Sequence, residues 1–145
     1  MIELFKKILV PTDASENSRR AFQMAIDLAS SYQSEVRLLH VSYTPHAYWG
    51  YTISYGIMVT QDELDQNGEL ALEATIAGID PRQVVINKQV ESGHPVTVIL
   101  DQIEEESIDL VVMGSHGYGA ITGSVLGSVS QRVLQRANCP VLIIK

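Results

Sequence analysis

The sequence predicts an α/β fold, a single domain with an open parallel sheet of five strands and helices on both faces. Two observations indicate this fold class. Five short apolar runs, rich in Val, Ile and Leu, are typical of strands buried on both faces of a parallel sheet. Segments with the spacing of amphipathic helices separate these runs, and strands that alternate with helices form right-handed β-α-β crossovers. A length of 145 residues suits one domain, so we expect residues 1–145 to fold as a unit.

The five strands are predicted at residues 8–10, 36–41, 84–90, 108–113 and 141–144. The third run is the most polar, because it contains Asn87, Lys88 and Gln89. Polar side chains are unfavourable in the covered middle of a parallel sheet. The third strand is therefore expected at an edge.

The first helix is predicted over residues 15–32, where Ser15 is a suitable N-cap and apolar side chains recur at helical spacing. A weaker helical pattern covers residues 62–79. The side chains expected on the buried faces are Phe22, Ala25, Ile26 and Ala29 in the first helix and Leu64, Leu70, Leu72 and Ile76 in the second.

Two further helices complete the alternation. The third is predicted from Pro95, a residue suited to the first helical position, and the last is expected to stop at Asn138 and Pro140. Arg136 near the end of the last helix complements the helix dipole. The expected buried side chains are Val96, Ile99, Leu100 and Ile103 in the third helix and Val129, Val133 and Ala137 in the last.

Residues 43–61 interrupt the alternation. This insertion contains Tyr43, Tyr48, Trp49, Tyr51 and Tyr55, five of the nine aromatic residues of the chain. Such a segment after the second strand could be a lid over a site or a surface for an unidentified protein partner. It could equally be a loop that its own aromatic side chains hold against the domain, and both interpretations stay open.

Composition excludes several classes of protein. With 10 basic and 17 acidic residues the formal net charge is −7, and this argues against binding to nucleic acid, which needs clustered Lys and Arg. No apolar run approaches the roughly 20 residues of a membrane span, and the first residues lack the pattern of a signal peptide. We therefore expect a cytoplasmic protein.

Cysteine and histidine give no sign of a metal centre. The single cysteine, Cys139, excludes a disulfide framework and a cysteine-rich zinc site, and is expected to be buried and inert. The four histidines have no ligand spacing. His40 ends an apolar run and is expected to be hydrogen-bonded in the core. His116 is expected to be a solvated turn residue, with contact to a phosphate or action as a base as the alternatives.

A glycine-rich turn is the strongest candidate for a binding site. Five of the ten glycines fall between Gly114 and Gly127, after a strongly apolar strand and before the last helix. Glycine lets the backbone approach a ligand closely, and the free N–H groups at a helix start favour an anion. Ser128 and Ser130 add hydroxyl groups. Because parallel sheets bind ligands at the carboxyl ends of their strands, the turn is predicted to bind phosphate there.

Two known phosphate motifs do not match this turn. The chain contains no Gly-Lys-Ser/Thr sequence, which excludes the P-loop. A dinucleotide fingerprint begins with Gly117 and Gly119, but Thr122 stands at its third glycine position.

A third glycine pattern does match. The spacing Gly114-x2-Gly117-x9-Gly127-Ser128, the opening Ile-Leu-Val-Pro-Thr-Asp at 8–13 and the closing Pro-Val-Leu-Ile-Ile at 140–144 resemble the universal stress protein family. The resemblance covers essentially the whole chain, and this glycine spacing marks the ATP-binding branch of the family. It implies the strand order 3-2-1-4-5, an adenine nucleotide alpha hydrolase-like fold, and ATP between the first and fourth strands.

The resemblance also implies roles for particular residues. Three follow the first strand and line the adenosine, with Asp13 on the ribose, although Asp13 also suits a helix-capping turn. Val41 meets the adenine through its backbone. The ribose and phosphates contact the glycine turn and the start of the last helix. The full candidate set is Pro11, Thr12, Asp13, Val41, Met113, Gly114, His116, Gly117, Gly127, Ser128, Val129 and Ser130.

One departure from the family pattern concerns charge. Many ATP-binding members carry Lys or Arg between the second and third motif glycines, whereas residues 118–126 contain neither. The phosphates of ATP, ADP or AMP would have to be neutralised by amides, hydroxyls and a magnesium ion bound through the phosphates.

The expected function is that of an adenine-nucleotide-binding regulator or nucleotide sensor of the stress response. The alternatives are a nucleotide-free interaction scaffold of the same fold, or a slow ATPase or adenylate-handling enzyme. No catalytic residue is assigned, because the sequence offers no evident general base. Family members commonly dimerise by the last strand, so a homodimer through residues 141–144 is expected as well.

Overall fold

A computed structural model describes residues 4–43, 60–116 and 126–145. Strands and helices alternate along these ranges as the sequence predicts. The elements are β1 (Lys7–Pro11), α1 (Glu16–Tyr32), β2 (Glu35–Tyr43), α2 (Gln61–Ile76), β3 (Val85–Gly93), α3 (Pro95–Glu105), β4 (Leu110–Gly114), α4 (Ser128–Arg136) and β5 (Val141–Ile144).

The five strands form one parallel sheet in the order β3-β2-β1-β4-β5. β1 is central, with Ile8 paired to Val36 of β2 on one side and to Leu110 of β4 on the other. β3 lies at an edge, as the polar residues of the third run indicate. The fold class and strand order expected from the sequence are confirmed.

Helices cover both faces of the sheet. Because successive side chains of a strand point to opposite faces, Ile8 and Val10 of β1 pack under α1 and α2, whereas Leu9 packs under α3 and α4. All three are 0% exposed. α1 contributes Phe22 and Ile26 to its layer, and the other predicted apolar positions of that helix are buried as well.

The ends of the helices follow local chemistry. Ser15 caps α1, and its side chain accepts a hydrogen bond from the Ser18 N–H. Thr60 and Glu63 form a capping box at the start of α2, in which each side chain bonds the backbone of the other residue. Pro95 begins α3 as expected.

α2 departs from the prediction at its end and on its buried face. It ends at Ile76 rather than at residue 79, and Gly78 beyond it has a φ of 76°. Leu70 is 61% exposed, so its predicted burial is wrong. The buried face consists of Gly68, Leu72 and Thr75. Leu70 lies about 200° around the helix from Gly68 and Leu72 and therefore faces away from the sheet.

Gly68 explains why this face is chosen. A Cβ at Gly68 would overlap the side chain of Val90 on β3, so the missing side chain allows α2 to lie close to the sheet. Of the predicted insertion, Tyr43 ends β2, Thr60 caps α2 and Gln61 begins it. The rest of that segment lies outside the described residues. Within the described ranges, no helix has the length and apolar character to cross a bilayer.

Candidate functional site

A cleft of about 420 Å³ opens at the carboxyl ends of the strands, next to the neighbouring strands β1 and β4. The chain leaves β1 toward one side of the sheet and β4 toward the other, and such a reversal is where open α/β sheets bind ligands. Eleven of the twelve candidate residues line it, namely Pro11, Thr12, Asp13, Val41, Met113, Gly114, His116, Gly127, Ser128, Val129 and Ser130. Gly117 lies outside the described residues.

The turn after β1 is held by side-chain acceptors. Asp13 Oδ1 accepts hydrogen bonds from the Ser15 N–H at 2.9 Å and from the Ser18 hydroxyl at 2.8 Å. Ala14, which lies between Asp13 and Ser15, has a φ of 66°. This left-handed conformation costs a non-glycine residue on the order of 1 kcal/mol. Oδ1 of Asp13 therefore has the role expected of a capping-turn residue. The residue also lines the cleft.

The turn after β4 depends on two close approaches of the backbone. A Cβ on Gly114 would lie 2.8 Å from the Cβ of Asn17 in α1, so glycine is needed where α1 passes the end of β4. Gly127 donates its N–H to the Ser115 carbonyl at 2.7 Å. These contacts bring the start of α4 to the mouth of the cleft.

α4 presents its N-terminus to the cleft. Gly127 is its N-cap and makes no side-chain capping bond. The first N–H groups of a helix have no partner within the helix, and the dipole adds about half a positive charge there. The Ser130 hydroxyl donates to the Gly114 carbonyl at 2.8 Å, so it joins α4 to β4. Ser128 is exposed at the same end.

His116 differs from its expectation. The sequence favoured a solvated turn histidine, but Nε2 is buried and has no hydrogen-bond partner among the described residues. Nδ1 faces the Ser115 hydroxyl at 3.1 Å, and the Asn17 side-chain amide donates to the His116 carbonyl at 3.2 Å. Because buried polar atoms are nearly always paired, the unpaired Nε2 is an exception among the described residues.

The remaining wall of the cleft is mostly apolar. Five of its lining residues were not in the candidate set: Ser18, Leu39, Tyr43, Pro95 and Ile99. Leu39 and Ile99 belong to apolar patterns that indicate burial without revealing which atoms border a cavity. Tyr43 is 52% exposed and meets the ring of His94 edge to face at 5.7 Å. An apolar wall opposite polar backbone groups is typical of small-molecule sites.

The charge of the cleft is unusual for an anion site. Among the described lining residues Asp13 is the one acid, and none is Lys or Arg. No group of three or more His, Cys, Asp or Glu residues in the described ranges could hold a metal ion. Cys139 lies outside the cleft, and burial, aided by the nearby Asp109, raises the pKa of its thiol and keeps it protonated.

Comparison with known proteins gives the family. The universal stress protein family model matches residues 4–145. The chain is 32% identical over 143 residues to universal stress protein MJ0531 of Methanocaldococcus jannaschii, a match that covers 98% of this chain and 83% of that protein. Its fold matches that of protein MJ0577 of the same organism with a TM-score of 0.77 and 27% identity, over 98% of this chain and 96% of that one.

Two similar folds were solved with nucleotides. One is a universal stress protein in complex with cAMP, with a TM-score of 0.67, 22% identity and 97% of each chain covered. The other is an Arabidopsis thaliana family protein with AMP bound, with a TM-score of 0.64, 23% identity and coverage of 97% and 91%. The fold, the family match along nearly the whole chain and the identity to MJ0531 lead to one conclusion: this chain belongs to the universal stress protein family.

Proposed function

We propose that this protein binds an adenine nucleotide in the cleft beside β1 and β4 and acts as a nucleotide-dependent regulator or sensor in the stress response. One observation carries the proposal: the N-terminus of α4, whose N-cap Gly127 makes no side-chain capping bond, lies at the same cleft as an apolar wall. That combination suits a ligand with one apolar ring and one anionic group.

The adenosine half would occupy the apolar end. Pro11, Val41 and Met113 provide surface for a purine, with the backbone of Val41 as its polar contact. Asp13 is the acceptor for the ribose hydroxyls, because the turn that Ser15 and Ser18 stabilise holds its carboxylate at the cleft. Thr12 contributes contact surface only, since its hydroxyl, N–H and carbonyl are bonded to Thr75, Leu39 and His40.

The phosphate half would lie against the glycine turn. Gly114 and Gly127 let the backbone come close, the Ser128 and Val129 amides supply N–H donors, and Ser130 fixes the helix to β4. Since no Lys or Arg lines the described cleft, ADP or ATP would bind with Mg²⁺ held through the phosphates. That the same fold holds cAMP and AMP in other proteins supports the proposal at the level of the fold.

Hydrolysis of a bound nucleotide is at most slow in this proposal. The one carboxylate among the described lining residues has an oxygen that already accepts two hydrogen bonds within the turn after β1, so that oxygen is not placed to activate a water.

Gly127→Val tests the placement of the phosphates. A Cβ there would lie 3.2 Å from the Ser115 carbonyl and would separate the two turns, so we expect binding of AMP and Mg-ATP to be abolished. Titration calorimetry measures the affinity, and circular dichroism checks that the fold remains. Gly127→Ala, with a smaller side chain, should lose less.

Undiminished affinity in folded Gly127→Val would refute this placement. Analysis of the small molecule released on denaturing the purified wild-type protein tests the proposal independently. A wild-type protein that neither carries nor binds any adenine nucleotide would favour the nucleotide-free scaffold.

A further inference from the structure

A pair of buried hydroxyls links α2 to the turn after β1. Thr12 Oγ1 and Thr75 Oγ1 lie 2.7 Å apart, although 63 residues separate them in the chain. Thr75 is 0% exposed and Thr12 is 6% exposed. The bond exists because Gly68 lets α2 approach the sheet closely enough for the next turns of the helix to reach the end of β1.

The direction of the hydrogen bonds is fixed by the partners at each end. Thr75 donates its own proton to the Ala71 carbonyl at 2.7 Å, so its oxygen must accept from Thr12. Thr12 Oγ1 in turn accepts the Ala14 N–H at 3.0 Å. One chain of bonds therefore runs from the backbone of the turn to the backbone of α2.

This series of hydrogen bonds ends at Ala14, the residue of the turn with a strained backbone. Ala14 has the left-handed φ of 66°, and its neighbours Asp13 and Ser15 complete the turn with the Asp13 carboxylate. The Thr12 carbonyl is also occupied, because it accepts from His40 Nδ1 at 2.9 Å. The conformation that points Asp13 to the cleft thus depends on contacts from β2 and α2.

We propose that Thr75 is a positioning residue of the nucleotide site, acting through the Thr12 hydroxyl on the turn that carries Asp13, and that α2 and the ligand are thereby thermodynamically coupled. The inference rests on the proposed function and adds a regulatory route to it. A ligand that holds Asp13 in place stabilises the packing of α2. By reciprocity, any event that displaces α2 lowers the affinity for the ligand.

Thr75→Val tests the inference, since it keeps the volume of the side chain and removes its acceptor. The Thr12 hydroxyl would be left as a buried donor without a partner, which the turn relieves by shifting. We expect AMP affinity to fall roughly tenfold, the value of one such hydrogen bond. Thr75→Ser, which keeps the hydroxyl, should retain wild-type affinity.

Two controls separate positioning from loss of stability. Leu72→Val removes buried volume from the same face of α2 without touching the turn, and should lower the melting temperature but not the affinity. In a double-mutant cycle Thr75→Val should have no further effect once Thr12 is Val, because its action passes through that hydroxyl. Hydrogen exchange of α2 amides should slow on AMP binding in the wild type and change less in Thr75→Val.

The outcomes are distinct. Thr75→Val binding AMP as tightly as the wild type, or losing no more than Leu72→Val loses, would overturn the coupling while leaving nucleotide binding intact. Failure of the wild type itself to bind AMP, ADP or ATP would instead refute the proposed function.

Discussion

At the scale of single residues, Asp13 combines two tasks in one carboxylate. Oδ1 accepts hydrogen bonds from Ser15 and Ser18 and shapes the turn, while the side chain borders the cleft. A substitution there changes both the fold of the turn and the charge at the cleft. Two variants can separate these effects, because asparagine keeps the acceptor and removes the charge.

We expect Asp13→Ala to weaken AMP, ADP and ATP by similar factors, on the order of tenfold, since a ribose contact is common to all three. It should also lower the free energy of unfolding by about 1 kcal/mol through loss of the turn acceptor. Asp13→Asn should lose affinity but retain stability. Calorimetry with the three nucleotides and denaturant unfolding provide the two measurements.

If Asp13→Ala lowered the affinity for ATP alone, Asp13 would lie near the metal ion and phosphates rather than near the ribose. Unchanged affinity for all three nucleotides in folded Asp13→Ala would leave only the structural role.

At the scale of secondary-structure elements, the packing of α2 shows how a glycine can decide which face of a helix is buried. The apolar pattern alone includes Leu70, which is 61% exposed, and omits Gly68 and Thr75, both of which are buried. The missing side chain at Gly68 matters more here than another apolar side chain, because it sets the distance between α2 and β3.

Gly68→Ala should therefore destabilise the protein, although alanine favours a helix by about 1 kcal/mol over glycine. Overlap with Val90 should outweigh this gain, because overpacking typically costs about 1–3 kcal/mol. Thermal unfolding measures the difference. Val90→Ala makes room, so the double variant should be more stable than Gly68→Ala alone; a rise in stability in Gly68→Ala itself would contradict the packing argument.

The elements could be predicted from the sequence because each carries its own signal. Periodicity, the Ser15 cap and the polar third run indicate the helices, their starts and the edge strand, and the family resemblance led to eleven of the described residues that line the cleft. Contacts across the chain were beyond such signals. The burial of His116 Nε2 and the Thr12–Thr75 bond depend on how distant segments approach each other, and neither has a local pattern.

At the scale of the whole molecule, the charge distribution bears on which nucleotide fits. All ten Lys and Arg residues lie in the described ranges, and none lines the cleft there. Residues 44–59 and 117–125 contain none. A helix N-terminus worth about half a charge can stabilise one phosphate group, but the net charge of −7 opposes each further one.

Without Mg²⁺, we therefore expect affinity not to rise from AMP to ADP to ATP, and we expect Mg²⁺ to strengthen the binding of ATP selectively. Titration calorimetry in EDTA and then in Mg²⁺ measures both. Arg20→Gln is the matched control, because Arg20 is bonded to Asn17, which contacts the turn at His116. A tenfold preference for ATP in EDTA would contradict the expectation. If Arg20→Gln then abolished that preference, Arg20 would be the cation that neutralises the phosphates.

The sheet also has an edge suited to self-association. β5 is the outer strand beside β4, and Leu142 on it is 37% exposed. Exposed apolar edges are normally blunted by charge, Pro or a bulge. Antiparallel pairing of β5 with a second copy would form a closed two-fold interface. Light scattering after gel filtration should give twice the 16.0 kDa of the chain, about 32 kDa, whereas 16.0 kDa at micromolar concentration would exclude this dimer.

The central place of β1 has a consequence for the order of assembly. Its partner β4 lies about 100 residues further along the chain. The Lys7 N–H, for example, donates a hydrogen bond to the side chain of Asp109. Contacts so remote in sequence close late, because the intervening loop is entropically expensive. During synthesis, β1, α1 and β2 also emerge before β4, the strand that completes the cleft, because they come earlier in the chain. If a nucleotide binds in the cleft as proposed, it contacts only the finished sheet, so it would slow unfolding rather than accelerate the early steps of folding.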